Sequence, residues 1–170
     1  MSVLLQVVFG AGISKIVNFV FHAHLPLAGE VTFVRWRVAV GNSIVYVFES
    51  RPYWTPELQR QFQKEDLRVR ACSSIVDVRR HLDSHAETNP NTKQIVVLDL
   101  DAGSAECLQF LGRRNRSWNS DVIVVGSPTT LELEWSIREL GAFGFVPHDI
   151  GGDELARICR RQFATAVELN

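Results

Sequence analysis

From Ile44 onward the chain alternates two hydrophobic patterns. Short apolar runs bounded by polar residues read as strands, and apolar residues recurring every three or four positions read as helix faces. Ile44–Phe48 (IVYVF) is the first strand run. In Leu67–Cys72 the residues Leu67, Val69 and Ala71 alternate with Arg68 and Arg70, which marks an edge strand with one wet face. The stretch Gln94–Gly103, QIVVLDLDAG, carries four apolar residues into Asp99 and reads as a strand buried on both faces. Asp121–Val125 and Ala142–Val146 are the fourth and fifth strand runs.

Helix signals fill the gaps. Thr55-Pro56-Glu57 reads as a capped start, with Leu58, Phe62 and Leu67 as the inner side. Ser73 or Ser74 caps the next segment, where Ile75, Val78 and Leu82 share a face. Ser104 precedes Ala105, Leu108 and Leu111. Thr129 and Glu132 have capping-box spacing, followed by Leu133, Ile137 and Leu140, and Gly141 suits a left-handed stop. Gly151-Gly152-Asp153-Glu154 opens the last helix, with Leu155, Ile158, Cys159 and Phe163 inward. Strands alternating with helices predict an α/β fold: a five-stranded parallel sheet, doubly wound, with right-handed crossovers.

Residues 1–43 differ. Up to Leu27 the only formal side-chain charge is Lys15, and no acid occurs before Glu30. A spanning helix needs about 20 apolar residues, and a central lysine costs about 2.5–3.5 kcal/mol on insertion scales. Met1-Ser2 lacks the basic start of a secretory signal. Three readings stay open for this extension: a poorly ordered or mis-started segment, a membrane anchor or interfacial helix within 1–29, or structure packed on the domain. Residues 31–40, VTFVRWRVAV, partly alternate and suit a strand. The domain is set at 44–166, with 167–170 as a tail.

The 170 residues suffice for one domain plus an extension, with 46% hydrophobic and 22% charged residues. A net charge of −1 offers no field for nucleic acid. Cys72, Cys107 and Cys159 are odd in number and lack metal-ligand spacing, so buried thiols in a reducing, cytoplasmic setting are expected.

In the strand order 2-1-3-4-5, the residues after strands one, three, four and five gather at the carboxyl edge, where open α/β sheets place their ligands. They are Phe48-Glu49, Asp99 with Asp101, Gly126-Ser127 and Pro147-His148. Each also has a plain structural role: Asp99 as a helix cap, Glu49 as a solvated loop acid, His148 as a backbone hydrogen-bonding group. His81 and His85 stand four apart but lack a third metal ligand; His22 and His24 form no recognisable site. Arg113, Arg114 and Arg116 read as a solvated helix end, and Trp118 and Trp135 as core or half-buried aromatics.

The segments VVLDLDAG, VIVVGSP and ELGAFGFVPHDI resemble the receiver domain of two-component response regulators from Ile44 to about Ala164. The resemblance implies a phosphoacceptor at Asp99, the second of two metal-binding acids at Glu49, and a backbone carbonyl for the metal at Asp101. It further implies Mg²⁺ and phosphoryl transfer from a partner histidine kinase. The pattern departs at Phe48, which replaces the first acid, at Gly126 for Thr/Ser (with Ser127 following), and at His148 for lysine, with Asp149 next. Histidine is shorter than lysine and mostly neutral at pH 7. The expectation is a degenerate, pseudo-receiver-like site that holds Mg²⁺ weakly and has weakened or absent Asp99 phosphorylation. The expected function is that of a non-enzymatic, single-domain signalling module: no DNA-binding or enzymatic segment follows Phe163. It would contact a histidine kinase or other signalling protein, or a second copy, through the 130–163 face. Either Phe143 or Phe145 would supply the aromatic of that face. The alternative is a small-ligand-binding flavodoxin-like domain or enzyme. Against it, ESRPYWT after the first strand is no phosphate loop, no Asp-x-His-x-x-Gly cobalamin motif occurs, and the Ser127–His148 pair lacks an oxyanion site.

Overall fold

The computed structural model describes residues 43–90, 92–115 and 117–165. The readings for the extension, the 31–40 strand included, and for residues 167–170 lie outside them. The strands are β1 (Ser43–Phe48), β2 (Leu67–Cys72), β3 (Gln94–Asp99), β4 (Ser120–Gly126) and β5 (Gly144–Pro147). The helices are α1 (Trp54–Phe62), α2 (Ile75–Thr88), α3 (Leu100–Gly112), α4 (Glu134–Glu139) and α5 (Gly152–Thr165). All strand pairs are parallel, as the alternation of strands and helices predicts, and their order is the expected β2-β1-β3-β4-β5.

The period-2 side-chain alternation divides the core into two layers. Tyr46, Phe48, Val96, Leu98, Val122 and Val124 face Val78, Leu82, Phe110 and Ile137. Val45, Val47, Ile95, Val97, Ile123 and Val125 face Trp54, Leu58, Phe62, Leu155 and Cys159. At the β2 edge, Arg68 and Arg70 remain exposed. All three cysteines are buried free thiols, and burial pushes Cys107 and Cys159 up to about 12. Among the described residues no helix is long and apolar enough to cross a membrane.

Several helix ends differ from the sequence expectation. Thr55 lies inside α1, and its buried hydroxyl finds no hydrogen-bond partner. The carboxylate of Glu49 caps that helix instead, by a contact that reaches across a loop and so leaves no local spacing. Ser74 caps α2, accepting from the Asp77 N–H at 3.1 Å. Asp99 caps α3, whose first turn is broken from the rest by extended backbone at Gly103, just before Ser104. The predicted capping box at Thr129 does not form. A 3-10 turn, Pro128–Leu133, occupies that stretch, and the Thr130 hydroxyl donates to the Ser127 carbonyl at 2.9 Å. Gly141 has φ 85 and does end α4 in the left-handed region.

Arg114 and Trp135 part from the expectation, and Trp118 meets it. Arg114 turns back, donating to the Gly141 carbonyl at 3.3 Å and to the Ser120 carbonyl, so this arginine ties α3 to the β4 edge. Trp118 is buried, stacks on Phe110 and donates its indole N–H to Asp83 at 2.8 Å. Trp135, by contrast, is 72% exposed.

Candidate functional site

Register decides which residues meet. Phe48 pairs with Leu98, Asp99 with Val125, and Gly126 with Pro147. Glu49, Asp99, Gly126 and His148 therefore emerge at one edge, one strand-end apart. Their surroundings differ sharply.

Asp99 is only 6% exposed. Its Oδ1 accepts the Asp101 backbone N–H at 3.0 Å, the one hydrogen bond to that carboxylate among the described residues. Burial, the largest influence, raises its pKa from the ordinary carboxylate value. The Asp101 N–H pulls the other way, as does His148, while the charges of Asp101 and Glu49 push it up further. No lysine or arginine is among the groups acting on it.

Asp101 stands exposed in the first turn of α3, and its Oδ1 accepts the Ser127 hydroxyl at 2.9 Å. Ser127 also shares a hydrogen bond with the Thr129 hydroxyl at 2.8 Å. These contacts engage the Ser127 hydroxyl with Asp101 and Thr129.

Glu49 is held by backbone. Its carboxylate accepts N–H groups from Tyr53 at 2.9 Å, Trp54 at 2.7 Å and Thr55 at 3.1 Å. These are the otherwise unpaired donors at the start of α1, at its positive dipole end. Phe48, in the position of the other expected acid, is buried in the layer with Cys72 and Leu98.

His148 is positioned twice over. Its backbone N–H donates to the Gly126 carbonyl at 2.8 Å. Its ring stacks on Tyr53 (centroids 5.7 Å, planes 20° apart) and meets Trp54 edge-on at 5.4 Å and 72°. One ligand atom from each of Asp99, Asp101 and His148 lies within 4.8 Å of the other two.

Gly126 is buried and leaves room for an aromatic ring. A Cβ there would sit 2.6 Å from Phe145 Cζ and 2.6 Å from Thr130 Oγ1. The structure thus separates the two candidate aromatics: Phe145 is 9% exposed and packed over Gly126, whereas Phe143 is 42% exposed. Phe143 precedes β5, whereas Phe145, paired with Val124, lies in the helix-covered layer.

The histidines of α2 stand apart from this edge. His81 stacks on Tyr46 at 5.5 Å and contacts Arg70, while His85 Nε2 is buried without a hydrogen-bond partner.

A parallel five-stranded sheet of this order, with carboxylates at the β3 end, is a doubly wound, flavodoxin-like fold. Solved structures agree. The receiver domain of the TMAO respiratory system response regulator TorR superposes with TM-score 0.60 at 16% identity, over 73% of this chain and 98% of that one. A response regulator receiver domain protein from Clostridium thermocellum gives TM-score 0.61 at 14% identity, over 75% and 99%. A response regulator from Thermotoga maritima gives 0.58 at 14%, over 72% and 98%. At these identities the likeness is one of fold. No protein-family model matches the chain, and no curated protein sequence matches it.

Proposed function

We propose that residues 43–165 form a receiver-type module of two-component, phosphorelay signalling, non-enzymatic, with weak or absent phosphorylation of Asp99. Its output is then a protein contact made by the 130–163 face. The observation that carries this reading is the electrostatic setting of Asp99. It is a buried carboxylate at the acceptor position, with two further acids and no permanent cation acting on it. Phosphorylation would replace the single negative charge of the carboxylate by a phosphoryl group carrying about −1.5 to −2 there. His148, seated against Tyr53 and Trp54, cannot supply lysine's permanent positive charge.

The residues also fit Mg²⁺ poorly. A hard cation of this size requires near-octahedral oxygen ligands. Phe48 contributes none, and the Glu49 carboxylate already accepts three backbone N–H groups. Asp99 and the Asp101 carbonyl are what remain of the expected set.

Phe145 supports a surface set by packing rather than by the state of Asp99. With Gly126 beneath its ring there is no hydroxyl through which the β4 end could signal to it. Exposed Leu131, Trp135, Leu140 and Phe143 lie along the same stretch and supply apolar anchor area for a partner protein. The small-ligand alternative has a candidate cavity of about 560 Å³, lined by Tyr46, Arg68, Arg70 and His81 among others. It begins beside Ile44 and Arg68, at the amino ends of β1 and β2; a second cavity, of about 360 Å³, lies at their carboxyl ends, lined by Glu49, Cys72, Asp77 and His81 among others.

The test is incubation with Mg²⁺ and a small phosphodonor, read by intact mass. Little or no phosphoryl adduct is expected, and His148→Lys should increase it. A stoichiometric adduct on the unaltered chain, lost in Asp99→Asn, would refute the weakened-receiver reading. A flavin or nucleotide retained through purification would favour the alternative.

A further inference from the structure

We propose that Asp99, Asp101 and His148 form a binding site for a divalent transition-metal ion of the cobalt, nickel and zinc class, distinct in chemistry from a Mg²⁺ site. The three side chains come from the end of β3, the first turn of α3 and the residue after β5. Their ligand atoms all lie within 4.8 Å of one another. Ligands on a tetrahedral ion with bonds of about 2.0–2.1 Å stand roughly 3.3–3.5 Å apart. The cluster has to tighten by side-chain rotation on binding, and Asp101 is its exposed member.

Asp99 is the second, independent pointer. It is more than nine-tenths buried, faces this cluster, and accepts a single hydrogen bond. A buried carboxylate beside other carboxylates is unfavourable unless a cation joins it. Among the described residues the one cationisable group acting on it is His148, so an ion ligated by both completes the set.

The donor set selects the ion. Mg²⁺ takes oxygen ligands and keeps its waters, whereas an imidazole with two carboxylates suits borderline ions. Neutral imidazole is the binding form, and protons compete with the metal at acid pH.

Surrounding contacts hold each donor in place, as outer-shell groups do in metal sites. Tyr53 and Trp54 fix the His148 ring. Ser127 donates to Asp101 at 2.9 Å, and the Asp101 N–H donates to Asp99 at 3.0 Å. Glu49, tied to the start of α1, is not needed as a ligand. The site stands whether or not Asp99 accepts a phosphoryl group.

The experiment is titration of the full chain with Co²⁺, followed by visible d–d absorption, and with Zn²⁺ and Mg²⁺ by calorimetry. One Co²⁺ or Zn²⁺ per chain is expected, bound about 100-fold or more tightly than Mg²⁺. His148→Gln and Asp101→Asn should each weaken Co²⁺ about tenfold or more. Melting curves in EDTA establish that both variants are folded, and His148→Asn serves if His148→Gln is not. Changing His81 and His85 together should leave Co²⁺ binding intact. The proposal is overturned if Co²⁺ binds no tighter than Mg²⁺, if His148 and Asp101 variants retain wild-type Co²⁺ affinity, or if the His81/His85 variant loses it. Phosphodonor mass shifts report the receiver reading separately, so the two proposals fail by different results.

Discussion

Replacing Glu49 tests its helix cap against the metal-ligand role expected from the sequence. Its carboxylate accepts three backbone N–H groups at 2.7–3.1 Å, from Tyr53, Trp54 and Thr55. Trp54 and Thr55 are themselves buried, so water replaces those bonds incompletely. Glu49→Gln keeps one acceptor oxygen and loses the charge; the expected cost is about 1 kcal/mol. Glu49→Ala removes every acceptor, at about 2 kcal/mol, the upper range for a helix cap. A domain of this size loses roughly 4 °C in Tm per kcal/mol, which gives about 4 °C and 8 °C. The assay is thermal unfolding by circular dichroism in EDTA, where no metal contributes. Strain at the start of α1 also reaches the site, because Tyr53 and Trp54 carry the ring contacts to His148. An EDTA melting point for Glu49→Ala within 1 °C of wild type would refute the cap argument. The refutation would be complete if the same variant lost a Mg²⁺-dependent stabilisation, since Glu49 would then be a metal ligand.

Three further outcomes follow from the same packing. Gly126→Ser should destabilise the fold by about 1–3 kcal/mol, because its Cβ would stand 2.6 Å from the Phe145 ring; pairing it with Phe145→Ala should recover part of the loss in a double-mutant cycle. Asp99→Asn should raise the melting point at neutral pH. The folded state raises the Asp99 pKa above its ordinary value, so the stability Asp99 contributes at low pH is lost as pH rises from the ordinary carboxylate range through that raised value. The variant should flatten this slope in a pH series of denaturant titrations, and a lower melting point at pH 7 would contradict it. Trp118→Phe should lose about 1 kcal/mol through the missing hydrogen bond to Asp83, measured by urea unfolding.

Much of the architecture was legible along the chain because it rests on local, periodic signals. β1 and β3 carry unbroken apolar runs, Ile44–Phe48 and Ile95–Leu98, that suit buried strands, whereas Arg68 and Arg70 marked β2 as an edge. The left-handed stop at Gly141 was readable from one residue, since few others tolerate that backbone. Strand ends were readable too, and with the strand order they brought Glu49, Asp99, Gly126 and His148 to one edge.

What each of those side chains does there was decided only by the tertiary structure. Glu49 caps a helix from four to six residues away, and no capping motif has that spacing. Phe145 rather than Phe143 fills the space over Gly126 because β5 begins only at Gly144 and its pairing with β4 sets Phe145 beside Val124. Asp101 and His148 stand 47 positions apart in sequence numbering and come within ligand distance of Asp99 only because β3, β4 and β5 lie side by side. Hydrophobic periodicity acts within a few residues and determines elements and their order. The chemistry at the sheet edge depends on side chains from separate elements, whose meeting is set by register and by which neighbour has already claimed a donor.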